Sequence, residues 1–354
     1  MKPTTLTATH VNYLNIALMV ISCVLAFRFP FELFLVSYAV LGPLHYLTEI
    51  SWLHDRKYFT EGKSGKASKR ANQRWLILVG LTMVTLIAGF VAVEVIGAQV
   101  SPKWEITFFY AVFVAALLVT VVKNTWARVL LVCGALTLLA LVSVSRYYVI
   151  FAFFLVTIIH VLIFTGAFIL YGALKGRSVT GILSLVVFLL CVASFFVFAP
   201  PGHAAGDYVR QSYRSFNALN AEIIKLLQLG AGATARDIYE SQSGLMVMRL
   251  IAFAYTYHYL NWFSKTSIIK WHQVPKARTA VMIVVWLGGL GLYAYDYDTG
   301  MAILYFLSIL HVMLEFPLNH LTFAGIGREL HAMARSRRLT GAEQVYARRP
   351  LSPR

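Results

Sequence analysis

Long apolar stretches recur along the chain, separated by short segments that hold most of its polar and charged residues. A run of about 20 mostly apolar residues is long enough to cross a bilayer as a helix. The pattern therefore predicts an all-α, polytopic membrane bundle of about ten transmembrane helices, forming a single domain over residues 1–354. The predicted spans, of which the fifth is short, are 9–27, 31–53, 75–97, 105–122, 129–144, 147–172, 179–199, 245–264, 279–295 and 300–321.

The composition agrees with a membrane protein. Hydrophobic residues make up 59% of the 354 positions and charged residues only 13%, about half of the roughly 25% that is usual in globular domains. These values exclude a soluble cytosolic domain and a disordered chain. All three cysteines lie inside predicted spans, so a disulfide-rich secreted module is excluded as well.

The chain is nevertheless basic, with a formal net charge of +16. Placing both termini in the cytoplasm puts 23 of the 31 lysines and arginines on the cytoplasmic side, including those of a basic tail at 322–354. The positive-inside rule favours this orientation, in a bacterial-type inner membrane. The basic segments are dispersed among membrane-flanking loops, which predicts membrane lipids rather than nucleic acid as their partners.

One longer polar insertion, residues 200–244, joins the seventh and eighth spans on the extracytoplasmic side. The segment Pro200-Pro201-Gly202 ends the seventh span. Apolar positions between Tyr208 and Leu229 follow a helical spacing, which predicts an amphipathic helix. We expect this helix to lie on the membrane surface as a cap; a mobile lid is the alternative.

Four histidines lie well inside even-numbered spans, which all run toward the cytoplasm. At 1.5 Å per residue, each is about 10–20 Å from the cytoplasmic end of its span, so the four share one depth. A single histidine in a membrane helix is commonly a packing hydrogen bonder, whereas four at one depth predict a common site. They are His45, His160, His258 and His311.

A repeated spacing adds two glutamates at the same depth. Residues 45–54 and 311–320 both read H-x-x-x-E-x-x-x-x-H, which places Glu49 and Glu315 four residues after a histidine and on the same helix face. A charged side chain at mid-span costs roughly 2.5–3.5 kcal/mol, so each carboxyl group must be protonated or paired with a cation. A metal ion satisfies both carboxylates and gives the imidazoles a role.

The sequence thus predicts a metal site towards the cytoplasmic side. Imidazole with carboxylate suits iron, with zinc or manganese as alternatives, and facing sets of this kind hold one or two irons. We expect the six side chains to converge within one cluster a few ångströms across. The predicted ligands are His45, Glu49, His160, His258, His311 and Glu315.

His54 and His320 close the two repeats and are further candidate ligands. Nine residues correspond to about 900° of rotation, which places them on the opposite face of a regular helix. They join the site only if the helix end unwinds or kinks, as Pro317 allows; otherwise they reach toward lipid headgroups. Contacts that orient the ligands or bind the substrate are predicted for Asn261, Tyr257, Tyr259, Tyr46 and His272, with an interfacial aromatic belt as the alternative for Tyr259.

Two enzyme groups resemble this arrangement. Histidine-box membrane desaturases and hydroxylases are similar in class, although their H-x-x-x-H and H-x-x-H-H motifs do not occur here. The small, polytopic carotenoid-cleaving dioxygenases of the Brp/Blh type are similar in the Gly42-Pro43-Leu44-His45 segment and in carrying single histidines on separate spans. Either resemblance implies an oxygen-dependent iron enzyme that acts on a lipophilic substrate.

The sequence therefore favours a membrane non-haem iron oxidoreductase that uses dioxygen on a lipophilic small molecule. Two alternatives stay open: a proton-coupled transporter with a His/Glu relay, and a b-type haem electron carrier with axial ligands such as His160 and His258. No G-x-G-x-x-G motif, P-loop or ferredoxin-type cysteine cluster is present, so any reductant comes from an electron-donor protein or from the substrate.

Overall fold

The computed structural model describes residues 7–60, 66–99, 103–141, 150–201, 203–230 and 234–347. Within these ranges every regular element is helical. Parts of the predicted fifth and sixth spans, at 142–149, and the end of the basic tail, at 348–354, lie outside the described residues.

The elements follow one another with short connections. Two of them are π-helices, π1 and π2, and they matter for the site because both adjoin histidine-bearing segments. In chain order the elements are α1 (Ala8–Arg28), α2 (Pro30–Val36), π1 (Ser37–Leu41), α3 (Gly42–Asp55), α4 (Lys66–Glu94), α5 (Lys103–Thr120), α6 (Thr125–Leu141), π2 (Ile150–Phe164), α7 (Thr165–Lys175), α8 (Val179–Val197), α9 (Asp207–Tyr213), α10 (Asn217–Leu226), α11 (Ala235–Glu240), α12 (Gln242–Ser264), α13 (Thr266–Ile269), α14 (Lys276–Tyr295) and α15 (Tyr297–Ala347).

Seven helical segments of the described chain are long and apolar enough to cross a membrane. They coincide with seven of the ten predicted spans, and two shorter apolar helices, Thr107–Thr120 and Thr125–Thr137, fall at the predicted fourth and fifth. The predicted eighth span, 245–264, forms α12, which is not one of the seven. The described part of the chain is thus all-helical, and its long apolar segments indicate a membrane protein. Its seven qualifying segments are Ala8–Arg28, Pro30–Asp55, Lys69–Glu94, Thr157–Lys175, Val179–Val197, Lys276–Tyr295 and Tyr297–Arg335.

Helix α12 lies at the centre of one half of the bundle. Every residue from Val247 to Tyr259 is buried. The helix packs against α1, α2, α8, α10 and α11, and it also contacts π1, π2 and α3. Because it is enclosed on all sides, α12 tolerates the hydroxyl, imidazole and amide groups that its sequence carries, provided that neighbouring helices supply hydrogen-bond partners.

Helix α15 organises the other half. It packs against α3, α4, α5, α7 and α14. A separate apolar core formed by residues such as Trp75, Val112, Met313 and Phe316 holds these helices together. The histidine-bearing segments α3, π2, α12 and α15 meet where the two halves join.

Hydrogen bonds fix the end of the bundle at which α3, α7, α12 and α15 emerge, which we call the basic end. The start of α1 is joined to the start of α8 through Asn12 and Thr180, 2.9 Å apart. The end of α12 is joined to α1 through Ser264 and Asn15, also 2.9 Å apart. These contacts hold the helix ends in register beside the site.

The insertion covers the opposite, capped end. A single helix over Tyr208–Leu229 is predicted from the sequence, whereas the structure breaks it into α9 and α10 at a 3₁₀ turn, Arg214–Phe216. Apolar side chains of both helices, including Tyr213 and Ile223, are buried in the core around α12. The turn lets both short helices direct apolar side chains into the protein.

Candidate metal centre

The first pair of candidate ligands lies where α3 faces α12. His45 and Glu49 occupy successive turns of α3, and Oε2 of Glu49 lies 3.1 Å from Nε2 of His45. The same nitrogen of His45 lies 3.1 Å from Nε2 of His258 on α12. One imidazole nitrogen is therefore shared between a carboxylate of its own helix and an imidazole of the central helix.

The second pair lies where π2 faces α15. Nε2 of His160 is 3.2 Å from Nε2 of His311. The opposite nitrogen of the same ring, Nδ1, is 3.2 Å from Oε2 of Glu315. Glu315 thus contacts the edge of the His160 ring that faces away from His311. The two repeats therefore differ, because Glu49 contacts the histidine of its own repeat and Glu315 contacts a histidine of another segment.

The two pairs form one cluster. The ring centroid of His45 lies 4.8 Å from that of His258 and 5.4 Å from that of His311. The ring of His160 lies 4.9 Å from His258 and 5.0 Å from His311. Nitrogens of His45, His258 and His311 all lie within 4.8 Å of one another. The structure therefore brings the four imidazoles around a single point.

The cluster is buried and rich in acceptors. None of the four histidines or of Glu49 and Glu315 is more than 7% exposed. The carboxyl groups of Glu49 and Glu315 also line the same cavity. Two neighbouring carboxylates in an apolar interior repel strongly unless they hold a proton or face a cation.

Both π-helices adjoin this cluster. Segment π1 immediately precedes α3, three residues before His45, and His160 lies inside π2. A π-helical turn accommodates an extra residue and so rotates the following helix relative to the preceding one. The face that each segment presents to the site is therefore set independently of the face that the rest of the same segment presents to its neighbours.

Three contacts orient the ligands. Thr165 is 2.8 Å from Nδ1 of His258, which leaves Nε2 directed to the cluster. Tyr46 stacks on the ring of His311, with centroids 4.2 Å apart and planes inclined by 23°. The hydroxyl of Tyr46 in turn hydrogen-bonds that of Tyr259 at 2.7 Å. Partners of this kind fix the tautomer and the plane of a metal-binding imidazole.

Several predicted residues lie elsewhere. His54 is exposed and 3.3 Å from Asp55, while Nε2 of His320 lies 3.0 Å from the carbonyl oxygen of Phe113. Helix α15 continues through Pro317, so nothing rotates His320 toward the cluster. His272 lies beyond the end of α13, beside Trp271.

Two further predicted residues are near the site without contacting the imidazoles. Tyr257 donates a hydrogen bond to Asn15 at 3.3 Å. Asn261 accepts a weak hydrogen bond from Tyr257 and lines a cavity beside the cluster. Tyr257 therefore ties α12 to α1, and Asn261 faces the space next to the site.

Sequence reasoning missed several residues that support the ligands and their surroundings. Thr165 and Thr48 carry no motif of their own; Thr48 accepts a hydrogen bond from the indole of Trp262 at 3.0 Å. Asn319 was detectable, because it extends the i, i+4 ladder of His311 and Glu315 by one more turn. Its amide lies 3.5 Å from Oε2 of Glu315.

The donor set fits a metal ion. Oε2 of Glu49 and Nδ1 of His45 are buried without a hydrogen bond among the described residues. The three pairs His45–Glu49, His45–His258 and His160–His311 are separated by 3.1–3.2 Å. Ligands at right angles around one ion, with bonds of about 2.1 Å, lie about 3.0 Å apart. Imidazole nitrogens and a carboxylate oxygen at these spacings are suited to a transition metal.

A cavity of about 240 Å³ opens beside the cluster. His45, Glu49, His258 and Glu315 line its inner part. The cavity gives a small molecule, or one end of a longer one, direct access to the candidate ligands.

Comparisons of the chain with protein-family models, with curated proteins and with solved structures find no match. The function is therefore inferred from the geometry of the site itself.

Proposed function

We propose that this protein is an integral-membrane, metal-dependent oxidoreductase, with non-haem iron as the metal, that uses dioxygen to oxidise a lipophilic substrate. The observation that carries the proposal is the convergence of four buried imidazoles and a carboxylate beside a cavity. Clusters of histidine and carboxylate with open positions are typical of non-haem iron that handles oxygen.

Each candidate ligand has a distinct role in the proposal. His45, Glu49, His258 and His311 hold the metal, with Nε2 of His160 completing the imidazole set. Glu315, with Oε2 3.2 Å from Nδ1 of His160, would favour a proton on that nitrogen and so keep Nε2 free as a ligand. Bound iron would supply the one-electron chemistry with dioxygen that amino-acid side chains lack. One or two ions are compatible with these five ligand residues.

The surrounding residues exclude water and hold the ligands rigid. Thr165 sets the tautomer of His258, and the Tyr46 ring supports the face of His311. Enclosure of the ligands on four separate segments prevents their rings from rotating freely. A dry, preorganised cavity of this kind protects reactive oxygen chemistry from side reactions.

The close ring spacing supports non-haem iron over a b-type haem. Two axial imidazoles lie on opposite sides of a haem iron, which requires more separation than the 4.9 Å between the His160 and His258 ring centroids. The four rings also leave no gap wide enough for a porphyrin plane.

The proposed topology has about ten spans, with α12 as the eighth, and both termini in the cytoplasm of a bacterial-type cell. Seven long apolar segments support the membrane location. The excess of lysine and arginine at the basic end supports its cytoplasmic orientation. The metal centre then lies in the cytoplasmic half of the bilayer, where an electron-donor protein can approach.

Metal analysis of the purified protein tests the proposal. We expect one or two iron ions per chain in the wild type and strong loss in His45→Ala and His311→Ala, with parallel loss of dioxygen consumption in membranes. His203→Ala, which removes a histidine at the capped end, is the matched control and should keep its iron. A correctly folded protein that neither contains nor takes up iron, zinc or manganese would contradict the metalloenzyme.

A further inference from the structure

The cavity beside the cluster has a cation at its outer end. Lys265 follows the last residue of α12, at the basic end of the bundle, and lines the cavity with Ile269 and Thr322. The side walls of the cavity are aromatic and apolar, and they are formed by Trp52, Phe168, Tyr171 and Trp262. The cavity thus has metal-ligating groups at one end, an ammonium group at the other and apolar walls between them.

Lys265 has no anionic partner in the described part of the chain. Two arginines at this end are paired: Arg177 lies 3.1 Å from Glu329, and Arg278 lies 2.8 Å from Asp55. Among the ion pairs and hydrogen bonds of the described residues, none uses the Lys265 ammonium group, although its side chain is partly buried. A shielded, unpaired cation is costly unless a ligand supplies the counter-charge.

The position of Lys265 is set by the helix that also carries His258. The two residues are seven apart, which is two helical turns, so they lie on the same face with a rise of about 10 Å between them. A molecule anchored at Lys265 therefore extends along α12 toward His258. The aromatic walls are suited to an apolar chain.

We propose that Lys265 binds the carboxylate of a single-chain acidic amphiphile, whose apolar chain runs along the cavity to the metal centre. Identification of this amphiphile as the substrate rests on the proposed function, whereas its binding does not require the metal. The ammonium group anchors the carboxylate through a charge-assisted hydrogen bond. A cavity of about 240 Å³ receives part of one acyl chain and does not hold the two chains of a phospholipid side by side, which favours a single chain.

Binding of ¹³C-carboxyl-labelled palmitate to the full chain in phosphatidylcholine nanodiscs tests the site. We expect the acid to bind and its methyl ester to bind at least tenfold more weakly. Lys265→Gln should weaken palmitate binding by about 10- to 100-fold, the usual range for one hydrogen bond to a charged group. Lys265→Arg should retain binding, because the positive charge is kept. Lys270→Gln, which removes an exposed lysine five residues on, is the matched control and should bind as the wild type does.

Three results would overturn the proposal: equal binding of acid and ester, unchanged binding in Lys265→Gln, or displacement of palmitate by phosphatidylglycerol, which would assign the site to a phospholipid headgroup. Metal content measured on the same samples separates this inference from the proposed function. Metal-free protein that still binds palmitate through Lys265 contradicts the oxidoreductase and retains the acid site. Metal-loaded protein that binds the acid and its ester equally retains the oxidoreductase and contradicts the acid site.

Discussion

Glu315 lies 3.2 Å from Nδ1 of His160, on the edge of the ring opposite the nitrogen that meets His311. In the proposed metal centre the carboxylate would therefore act through an imidazole rather than as a ligand. This relationship distinguishes Glu315 from Glu49, whose carboxylate reaches the nitrogen of His45 that faces the cluster. In the proposed centre the same sequence motif thus supplies one ligand, Glu49, and one positioning residue, Glu315.

Glu315→Gln should keep the metal site assembled but weaken it. The amide retains the volume of the side chain and loses the charge that polarises His160, which lowers metal affinity by about 10- to 100-fold. Competition with a chelator measures the change. Glu49→Gln serves for comparison and should lose more affinity, because it alters a ligand; equal effects of the two variants would contradict the separate roles.

Thr165→Val should lower both stability and metal content, because His258 on α12 loses its hydrogen-bond partner. The substitution leaves Nδ1 of His258 buried without its partner, at a cost of about 1–3 kcal/mol in the free energy of unfolding. Thermal unfolding with and without metal measures this cost. Thr165→Ser restores the hydroxyl and should recover both stability and metal content. A Val variant indistinguishable from the wild type would show that the threonine does not orient the ring.

The histidines that end the two repeats should be dispensable for metal binding. His54→Ala should leave metal content and stability unchanged, since the side chain is exposed. His320→Ala should also keep its metal but should unfold at lower temperature, because it loses the hydrogen bond to Phe113 and the ring contact beside it. Metal loss in either variant would mean that all three residues of the repeat, its two histidines and its glutamate, contribute to metal binding.

Acid binding at Lys265 should weaken as the pH rises. Burial lowers the pKa of the Lys265 ammonium group from its usual value to about 8. The group is charged below this value and neutral above it, so palmitate affinity should fall between pH 8 and 10. Lys265→Arg should hold its affinity over the same range, because a guanidinium keeps its charge. The other titratable groups facing the cavity are His45, Glu49, Tyr171, His258 and Glu315, all of which Lys265→Arg leaves unchanged.

The junction between α11 and α12 should not accept a side chain at Gly244. A Cβ atom there would collide with the backbone carbonyl groups of Asp237 and Ile238, which cannot move aside without distorting α11. Gly244→Ala should lower the free energy of unfolding by about 1–3 kcal/mol. Gly291→Ala, in an open position on α14, is the control and should stabilise slightly, because it removes backbone entropy from the unfolded chain.

The meeting of six ligand-type side chains was accessible from the sequence. The i, i+4 spacing of His45 with Glu49 forces both onto one face of α3, and equal depth brings four histidines into one layer. The exclusion of His54 and His320 also follows from helical rotation, once the helices are known to continue through both positions.

Other features depend on contacts between distant segments and carry no local signal. Pairing of His258 with Thr165 joins residues 93 positions apart, and the docking of Lys265 into the cavity depends on how α12 lies against α3 and α15. The π-helices have the same apolar composition as an α-helix, so periodicity does not reveal them. The break at Arg214–Phe216 follows from the need to bury side chains of both α9 and α10.

The enclosure of α12 has a consequence for biogenesis. This helix is too polar to rank among the segments that qualify as membrane spans by composition, yet it carries His258 and ends beside Lys265. All the long helices that surround it, including α1, α2, α3 and α8, precede it in the chain and are synthesised first. When α12 leaves the ribosome, these partner helices have therefore already been synthesised. Chain order thus allows a polar, ligand-bearing helix to enter protein rather than lipid.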